Sequence, residues 1–293
     1  MPSNCNVAFL FPGQGLIPER LPSNQDRFAH LLGLAREAGL LLEHWIESEQ
    51  TERMTQTDAA QPALLLDSIA KEQLLRDVGW TPSCVAGHSL GEYAALVSAR
   101  VLTDSDAMRA VIERGRLMSG IAGTMAAILK LNLESVAVLC ADTQAVVANH
   151  NAPSQIIVSG PDDAVDVVMQ RAEAEGGRSI PLNVCGPFHS PLMAPAQQAL
   201  SQLLMEIEFA MPSVPVISGV SGYVETEASL LRDLLCRQMT SPVHWVDVTH
   251  ELERLGIEIA IEVGSGDVLT RLGRRSDSSI RFLTFKEAIH EES

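Results

Sequence analysis

The stretch VAGHSLGEYAAL, residues 85–96, places Ser89 between two glycines, with a histidine before it and a glutamate after it. Gly-x-Ser-x-Gly is typical of a serine nucleophile at a sharp turn between a strand and a helix. Ordinary turns produce the same pattern, because small residues fit where a strand meets a helix closely. Ser89 can act as a nucleophile only if other parts of the chain supply a base and donors for the oxyanion formed on attack.

The base best suited to a serine at neutral pH is histidine, whose unperturbed pKa is about 6.5. Of the eight histidines, His88 adjoins Ser89, and its side chain is expected to point away and buttress the turn. His189 stands in CGPFHSP after a predicted strand, between Pro187 and Pro191, where the backbone is stiff and no regular element claims the side chain. His189 is therefore the preferred base.

Two further turns are expected to lie beside Ser89. Apolar runs that alternate with helical periodicity predict a mostly parallel sheet with helices on both faces. The run NVAFLF ends at the turn 12–15, and the run IEIAIEVG ends at the turn 264–266. Because ligands in such folds bind at the carboxyl ends of the strands, Gln14, Ser89 and the 264–266 turn are predicted to gather there.

A different pattern interrupts this alternation. From about Thr124 to Val184 the predicted order is β-α-β-β-α-β, which is typical of a ferredoxin-like unit. The sequence therefore predicts a compact subdomain inserted into a larger α/β domain.

Composition excludes several classes of function. The 293 residues are 46% hydrophobic and 20% charged, as in a globular protein, and the net charge of −16 disfavours binding to nucleic acid. No apolar run is long enough to span a membrane, and no basic region precedes the first apolar segment, so a cytoplasmic location is expected. Five scattered cysteines without a C-x-x-C pair argue against a disulfide framework and a metal site.

Four motifs follow one another along the chain: FPGQG, GHSLGEYAAL with RGRLM downstream, GPFHSPLM and EVGSGDVLTRL. Together they resemble the malonyl-CoA:acyl carrier protein transacylase family, which includes freestanding acyltransferases of fatty-acid and polyketide synthesis. The resemblance runs from about Asn6 to Phe285. It implies an α/β-hydrolase-like parallel-sheet domain, residues 1–123 and 190–293, with an inserted ferredoxin-like subdomain, residues 124–189.

The resemblance also implies a ping-pong acyl transfer and the residues that carry it. Ser89 would hold the acyl group as an ester, and His189 would be general base and then general acid. The backbone carbonyl of Gln238, in CRQMTSPV, would hold His189, while the backbone N–H groups of Gln14 and Leu90 would stabilise the oxyanion. The implied substrates are malonyl-CoA and the phosphopantetheine thiol of an acyl carrier protein, without a metal or other cofactor.

Arg114, in RGRLM, matches the family's arginine that holds the free carboxylate of a malonyl group. A guanidinium can bind a carboxylate by two parallel hydrogen bonds, which a neutral acyl chain cannot use. Taken without the other motifs, Arg114 would be read as a solvated charge at a helix end. The resemblance also assigns Gln61, Asn151, Phe188 and Met118 to the acyl pocket.

The chain departs from the family's pattern near the predicted entrance. LIPERLPS follows FPGQG, His150 replaces an aromatic residue and Ser265 replaces a proline. Four arginines near the C-terminus form a local basic segment that is a candidate contact for the carrier protein or for CoA phosphates; they are Arg271, Arg274, Arg275 and Arg281.

Two other functions stay open at this point. One is an acyl-thioester hydrolase that releases the same ester to water, and a carboxylate-binding arginine argues against editing of neutral chains. The other is a noncatalytic docking subunit that retains the fold. The sequence does not separate fatty-acid from polyketide synthesis.

Overall fold

The computed structural model describes residues 5–15, 25–47, 51–184 and 186–291. The LIPERLPS segment and Cys185 lie outside the described residues. Ten strands are present in the described part; they are β1 Val7–Phe11, β2 Cys84–Gly87, β3 Thr124–Leu129, β4 Val146–Ala152, β5 Gln155–Gly160, β6 Arg178–Pro181, β7 Val216–Ile217, β8 Val224–Glu225, β9 Ile259–Glu262 and β10 Arg281–Thr284.

Thirteen α-helices connect and flank these strands in the described ranges. They are α1 Ala29–Glu37, α2 Leu42–Glu47, α3 Thr51–Thr55, α4 Thr57–Asp77, α5 Gly91–Ser98, α6 Asp104–Met118, α7 Leu133–Cys140, α8 Asp162–Ala174, α9 Ala194–Glu206, α10 Ala228–Arg237, α11 Trp245–Arg254, α12 Val268–Arg274 and α13 Phe285–Glu291. Short 3₁₀ turns lie at Gln25–Phe28, Pro191–Met193 and Gln238–Thr240.

The larger sheet has the strand order β10-β9-β1-β2-β7-β8, and all neighbours are parallel except the β7–β8 hairpin. Every residue of β1 is buried, as expected for a central parallel strand covered on both faces. Phe9 and Phe11 enter one hydrophobic cluster, whereas Ala8 and Leu10 enter another on the opposite face. The predicted α/β class, with a parallel sheet between layers of helices, is confirmed.

The smaller sheet has the antiparallel order β4-β5-β3-β6, and the chain order β3-α7-β4-β5-α8-β6 is ferredoxin-like. It has its own core between the sheet and helices α7 and α8, to which Ile128, Val158 and Val168 contribute. Backbone hydrogen bonds from His150 N to Val243 O and from Val243 N to Ala148 O, both 2.8 Å, join it to the rest of the protein. The division of the chain at residues 124 and 189 stays a prediction.

Two strands and four helices were not anticipated from the sequence; they are β8, β10, α1, α2, α3 and α13. Strand β8 has only two residues, and β10 has only two consecutive apolar residues, Phe282 and Leu283, which is too short an apolar run to indicate a strand. Among the described helices, none is both long and apolar enough to cross a bilayer.

The close approach of the first residue of α5, Gly91, to the carboxyl end of β1 requires a glycine. A Cβ atom built there would lie 2.0 Å from the carbonyl oxygen of Phe11. We therefore expect Gly91→Ala to lower the free energy of unfolding by about 1–3 kcal/mol or more, through overpacking. Gly33→Ala, in α1, is the matched control because its Cβ would meet nothing within 4 Å.

Gly33→Ala should raise the free energy of unfolding by about 0.5–1 kcal/mol, since alanine is the better helix former. Urea unfolding of both variants beside the wild type provides the measurement. Equal stability of the two variants would contradict the close approach.

Candidate active site

The turn that carries Ser89 is shaped by steric necessity. Strand β2 ends at Gly87 and helix α5 begins at Gly91, and Ser89 between them has a φ of 53°, in the left-handed region. A Cβ at Gly87 would lie 2.2 Å from the backbone nitrogen of Glu92. Both glycines of the motif are thus required by close backbone contacts, and the strained turn holds the serine side chain in one place.

Ser89 and His189 are in direct contact. Ser89 Oγ lies 2.7 Å from His189 Nε2. On the far side of the ring, Nδ1 faces two backbone carbonyls, Gln238 O at 3.1 Å and Ser241 O at 2.9 Å. Because carbonyls only accept, Nδ1 carries the proton and Nε2 is left to accept the hydroxyl proton of Ser89.

The family resemblance implied the carbonyl of Gln238 as the partner of His189 but not the carbonyl of Ser241. No side-chain chemistry marks such a position, because any residue has a backbone carbonyl. Only the 3₁₀ turn at Gln238–Thr240, which brings both carbonyls toward one point, makes Ser241 a partner.

The imidazole of His189 is held neutral. Burial, the positive charge of Arg114 and the neighbouring His88 together lower the pKa of His189 to about 3, although the two carbonyls oppose this shift. At neutral pH the ring is therefore a proton acceptor, as a general base must be before attack.

Arg114 lies within hydrogen-bonding distance of Ser89, the predicted nucleophile. Its side chain is buried, with Nη2 3.3 Å from Ser89 Oγ and 3.2 Å from Gln238 Oε1. Nη1 donates to Gln61 Oε1 at 2.7 Å. Within the described residues, Nε has no hydrogen-bond partner. No carboxylate is among these hydrogen-bonded partners, so a buried cation faces the nucleophile with donor capacity to spare.

Gln61 and its neighbours form the layer behind Arg114. Gln61 Nε2 donates to Gln14 Oε1 at 3.4 Å and to Met118 Sδ at 3.5 Å. Gln14 Nε2 in turn donates to Thr57 Oγ1 at 3.4 Å. Gln61 thus holds the guanidinium directly and Met118 contacts Gln61. None of Gln61, Met118 and Arg114 is among the residues that line the cavity over Ser89.

The two predicted oxyanion donors, Gln14 and Leu90, belong to turns that flank Ser89. Leu90 precedes the first residue of α5, where helix N–H groups are unpaired. The turn at Gly13 approaches the same point, since a Cβ on Gly13 would lie 2.9 Å from His88 O. Among the described residues, neither Gln14 N nor Leu90 N has a hydrogen-bond acceptor.

A cavity of about 240 Å³ opens over Ser89 between the two sheets. Phe188 and Asn151 line it with Gln14, Ser89 and His189. Asn151 Oδ1 also accepts from His88 Nε2 at 2.9 Å. His88 therefore links the Ser89 turn to Asn151 in the cavity wall.

The 264–266 turn reaches the same region, as predicted for carboxyl ends of parallel strands. A Cβ on Gly264 would lie 2.5 Å from Pro12 Cγ. Ser265 Oγ accepts from the buried Lys71 Nζ at 2.7 Å.

Three of the four C-terminal arginines pair with acids; these pairs are Arg271–Asp267 at 3.1 Å, Arg274–Glu287 at 2.7 Å and Arg281–Glu291.

One buried acid at the site was missed by the sequence analysis. Glu92, three residues after Ser89, accepts from Gln238 Nε2 at 2.7 Å and from Ser218 Oγ at 2.6 Å. The available signal was an acidic residue in the otherwise apolar stretch LGEYAALV.

Comparison with known proteins gives consistent matches over almost the whole chain. The model of the acyl transferase domain family matches residues 28–283. The malonyl CoA-acyl carrier protein transacylase of Bacillus subtilis is 36% identical over 303 residues, with 96% of this chain and 93% of that protein covered. The Escherichia coli K12 protein of the same name is 37% identical over 288 residues, with 92% of each covered.

Solved structures of malonyl transacylases are similar to this chain over almost its whole length. The malonyl CoA-acyl carrier protein transacylase of Coxiella burnetii superposes with a TM-score of 0.91 at 33% identity, covering 98% of this chain and 96% of that one. A malonyl-transacylase in complex with its type II PKS acyl-carrier protein gives a TM-score of 0.89 at 32% identity, covering 98% and 99%.

The neutral, buried state of His189 has a consequence for stability. In the unfolded chain this histidine gains a proton near pH 6.5, whereas in the folded protein it stays neutral down to about pH 3. Between these values the unfolded state binds more protons, so the free energy of unfolding falls as the pH falls below about 6.5. This group contributes up to about 1.4 kcal/mol per pH unit to that slope.

We therefore expect His189→Gln to lose stability less steeply than the wild type between pH 6.5 and pH 5. Urea unfolding at half-unit pH steps measures both slopes. Parallel curves would show that His189 is not buried in the neutral form.

Proposed function

The chain belongs to the acyl transferase domain family, and from this premise we propose that it is a malonyl-CoA:acyl carrier protein transacylase. It moves a malonyl group from malonyl-CoA to the phosphopantetheine thiol of an acyl carrier protein. The relatives that carry this name are 36% and 37% identical over more than nine-tenths of the chain. The observation that carries the proposal is that one oxygen, Ser89 Oγ, lies within 2.7 Å of a base and within 3.3 Å of a buried guanidinium.

Acylation begins at Ser89. His189 Nε2 takes the hydroxyl proton as Oγ attacks the thioester carbonyl of malonyl-CoA, and the carbonyls of Gln238 and Ser241 hold the resulting imidazolium through Nδ1–H. The backbone N–H groups of Gln14 and Leu90 stabilise the oxyanion, and one such donor contributes roughly 2.7–4 kcal/mol in comparable enzymes. When the tetrahedral intermediate collapses, the C–S bond breaks and the imidazolium gives its proton to the CoA thiolate.

Deacylation repeats these steps in reverse order with a different thiol. His189 takes the proton of the phosphopantetheine thiol, the thiolate attacks the Ser89 ester, and the proton returns to Oγ. Every step uses groups of the protein and the two thiols, so the proposal requires no metal or redox cofactor. The chemistry is the same for a carrier protein of fatty-acid or of polyketide synthesis, and a cytoplasmic location remains part of the proposal.

Arg114 supplies the preference for malonyl. The free carboxylate of an ester on Ser89 extends toward the guanidinium, whose N–H groups can bind it with two hydrogen bonds. An acetyl group leaves this cation buried without an anion. Phe188 and Asn151 bound the acyl group on the cavity side, while Gln61 holds Arg114 and is itself in contact with Met118.

The two other functions differ from this one in measurable ways. Intact-protein mass spectrometry after brief incubation with malonyl-CoA should show a malonyl adduct on the wild type and none on Ser89→Ala. The adduct should persist until a carrier protein is added. Loss of the adduct to water without a carrier would favour the hydrolase, and absence of both adduct and CoA release would favour a noncatalytic docking subunit.

Replacement of Arg114 tests the source of selectivity. Losing one partner of a buried, hydrogen-bonded charge pair costs about 2–5 kcal/mol, so Arg114→Gln should lower kcat/KM for malonyl-CoA about 30-fold or more. Arg116→Gln is the matched control, because Arg116 lies on the same helix with an exposed side chain paired to Glu113. Stopped-flow release of CoA measures kcat/KM for malonyl-CoA in each variant. A similar fall of kcat/KM in Arg114→Gln and Arg116→Gln would argue against Arg114 as the residue that selects malonyl.

A further inference from the structure

Glu92 is a buried acid that the proposed transfer does not use. It lies in the first turn of α5 and is 2% exposed. Burial raises the pKa of Glu92, while hydrogen bonds from Ser218 and Gln238 and the charge of Arg114 oppose that rise. A buried carboxylate is costly unless its oxygens are fully hydrogen-bonded, so its position near the nucleophile calls for a role.

The side-chain amide of Gln238 connects Glu92 to Arg114. Gln238 Nε2 donates to Glu92 Oε2 at 2.7 Å and to the backbone oxygen of Ser89 at 3.0 Å. Gln238 Oε1 accepts from Arg114 Nη2 at 3.2 Å. Acceptors face the nitrogen and a donor faces the oxygen, so only one of the two amide orientations satisfies all three neighbours.

Reversal of the amide would have two costs. Its NH₂ group would point at the guanidinium, which has no acceptor, and its oxygen would point at the carboxylate of Glu92, which has no donor. Glu92 is the strongest acceptor on its side, since charged acceptors form the stronger hydrogen bonds. Glu92 therefore fixes which end of Gln238 meets Arg114.

We propose that Glu92 is a positioning residue for malonyl selection, acting through the side chain of Gln238 to hold Arg114 in place. The inference rests on the proposed function. Gln61 holds Nη1 of Arg114 at 2.7 Å and Gln238 holds Nη2, so the two amides fix the plane of the guanidinium. A carboxylate can be bound by two parallel hydrogen bonds only if that plane is fixed.

The test is Glu92→Gln. Its amide can keep an oxygen toward Gln238, because the hydroxyl of Ser218 can rotate and accept from the new NH₂ group. The acceptor that faces Gln238 is then neutral, and because hydrogen bonds to charged groups are roughly twice as strong, kcat/KM for malonyl-CoA should fall about 5-fold. Labelling of Ser89 by a neutral fluorophosphonate, which needs no carboxylate site, should change much less.

Two further variants separate positioning from a general loss of stability. Glu72→Gln is the matched control, because Glu72 is 6% exposed and accepts from Ser98 Oγ and Arg76 Nε, both at 2.7 Å, in helix α4. Glu72→Gln should leave unchanged the ratio of the rate of acylation by malonyl-CoA to the rate of labelling by the fluorophosphonate. Gln238→Met removes the amide but keeps the backbone carbonyl, and the double variant with Glu92→Gln should be no worse than Gln238→Met alone.

A loss confined to malonyl-CoA and non-additive with Gln238→Met supports the proposal. Equal loss of both rates in Glu92→Gln, or additive effects in the double variant, would overturn it. If Glu92→Gln does not fold, Ser218→Ala removes the other side-chain partner of Glu92, and an unchanged ratio there and in Gln238→Met also overturns it. Failure of the proposed function is distinguishable, because the wild type would then react with the fluorophosphonate and form no malonyl-enzyme.

Discussion

The burial of a cation beside the nucleophile sets the conditions for the rest of the site. Arg114 is 1% exposed, and its hydrogen-bonding partners are neutral: Gln61, Gln238 and the hydroxyl of Ser89. Burial disfavours the charged form and lowers the pKa of Arg114, while the nearby carboxylate of Glu92 opposes that shift. Burying such a cation is costly unless most of its donors have acceptors. The side-chain amides of Gln61 and Gln238 accept from the guanidinium and so stabilise the buried charge.

The fold brings these groups together from distant parts of the chain. Parallel pairing of β1 with β2 places the 12–15 turn beside the Ser89 turn, and two glycines allow the backbones to approach closely. Arg114 lies on helix α6. The N-terminus of this helix is capped by Thr103, whose Oγ1 accepts from Asp106 N at 3.0 Å. His189 enters from the connection after the smaller sheet, so the nucleophile and the base belong to segments 100 residues apart.

Much of this arrangement could be predicted because it depends on side-chain type and local pattern. Buried strands such as β1 and β2 are continuous apolar runs that lead into glycine-containing turns, and Ser89 and His189 stand in motifs with distinct chemistry. Arg114 was assigned through the family resemblance, because its local pattern alone indicates a solvated helix end. Ser241 could not be predicted, because a backbone carbonyl has no residue preference. Strand β10 was missed because only Phe282 and Leu283 in it are apolar and buried, and the pairing of Arg281 with Glu291 depends on how β10 and α13 pack together.

Within the part of the chain that the structure describes, no acidic side chain hydrogen-bonds Nδ1 of His189, and this is consistent with the presence of Arg114 nearby. An acid there would place a second anion close to the guanidinium and compete with a malonyl carboxylate for its charge. Two carbonyls orient the ring without adding charge. The acid that does lie nearby, Glu92, is kept from direct hydrogen bonding with Arg114 by the intervening amide of Gln238. Glu92 can therefore offset part of the buried charge without occupying an N–H group of Arg114, and the N–H group that donates to Ser89 Oγ can pass to a substrate carboxylate once Ser89 is acylated.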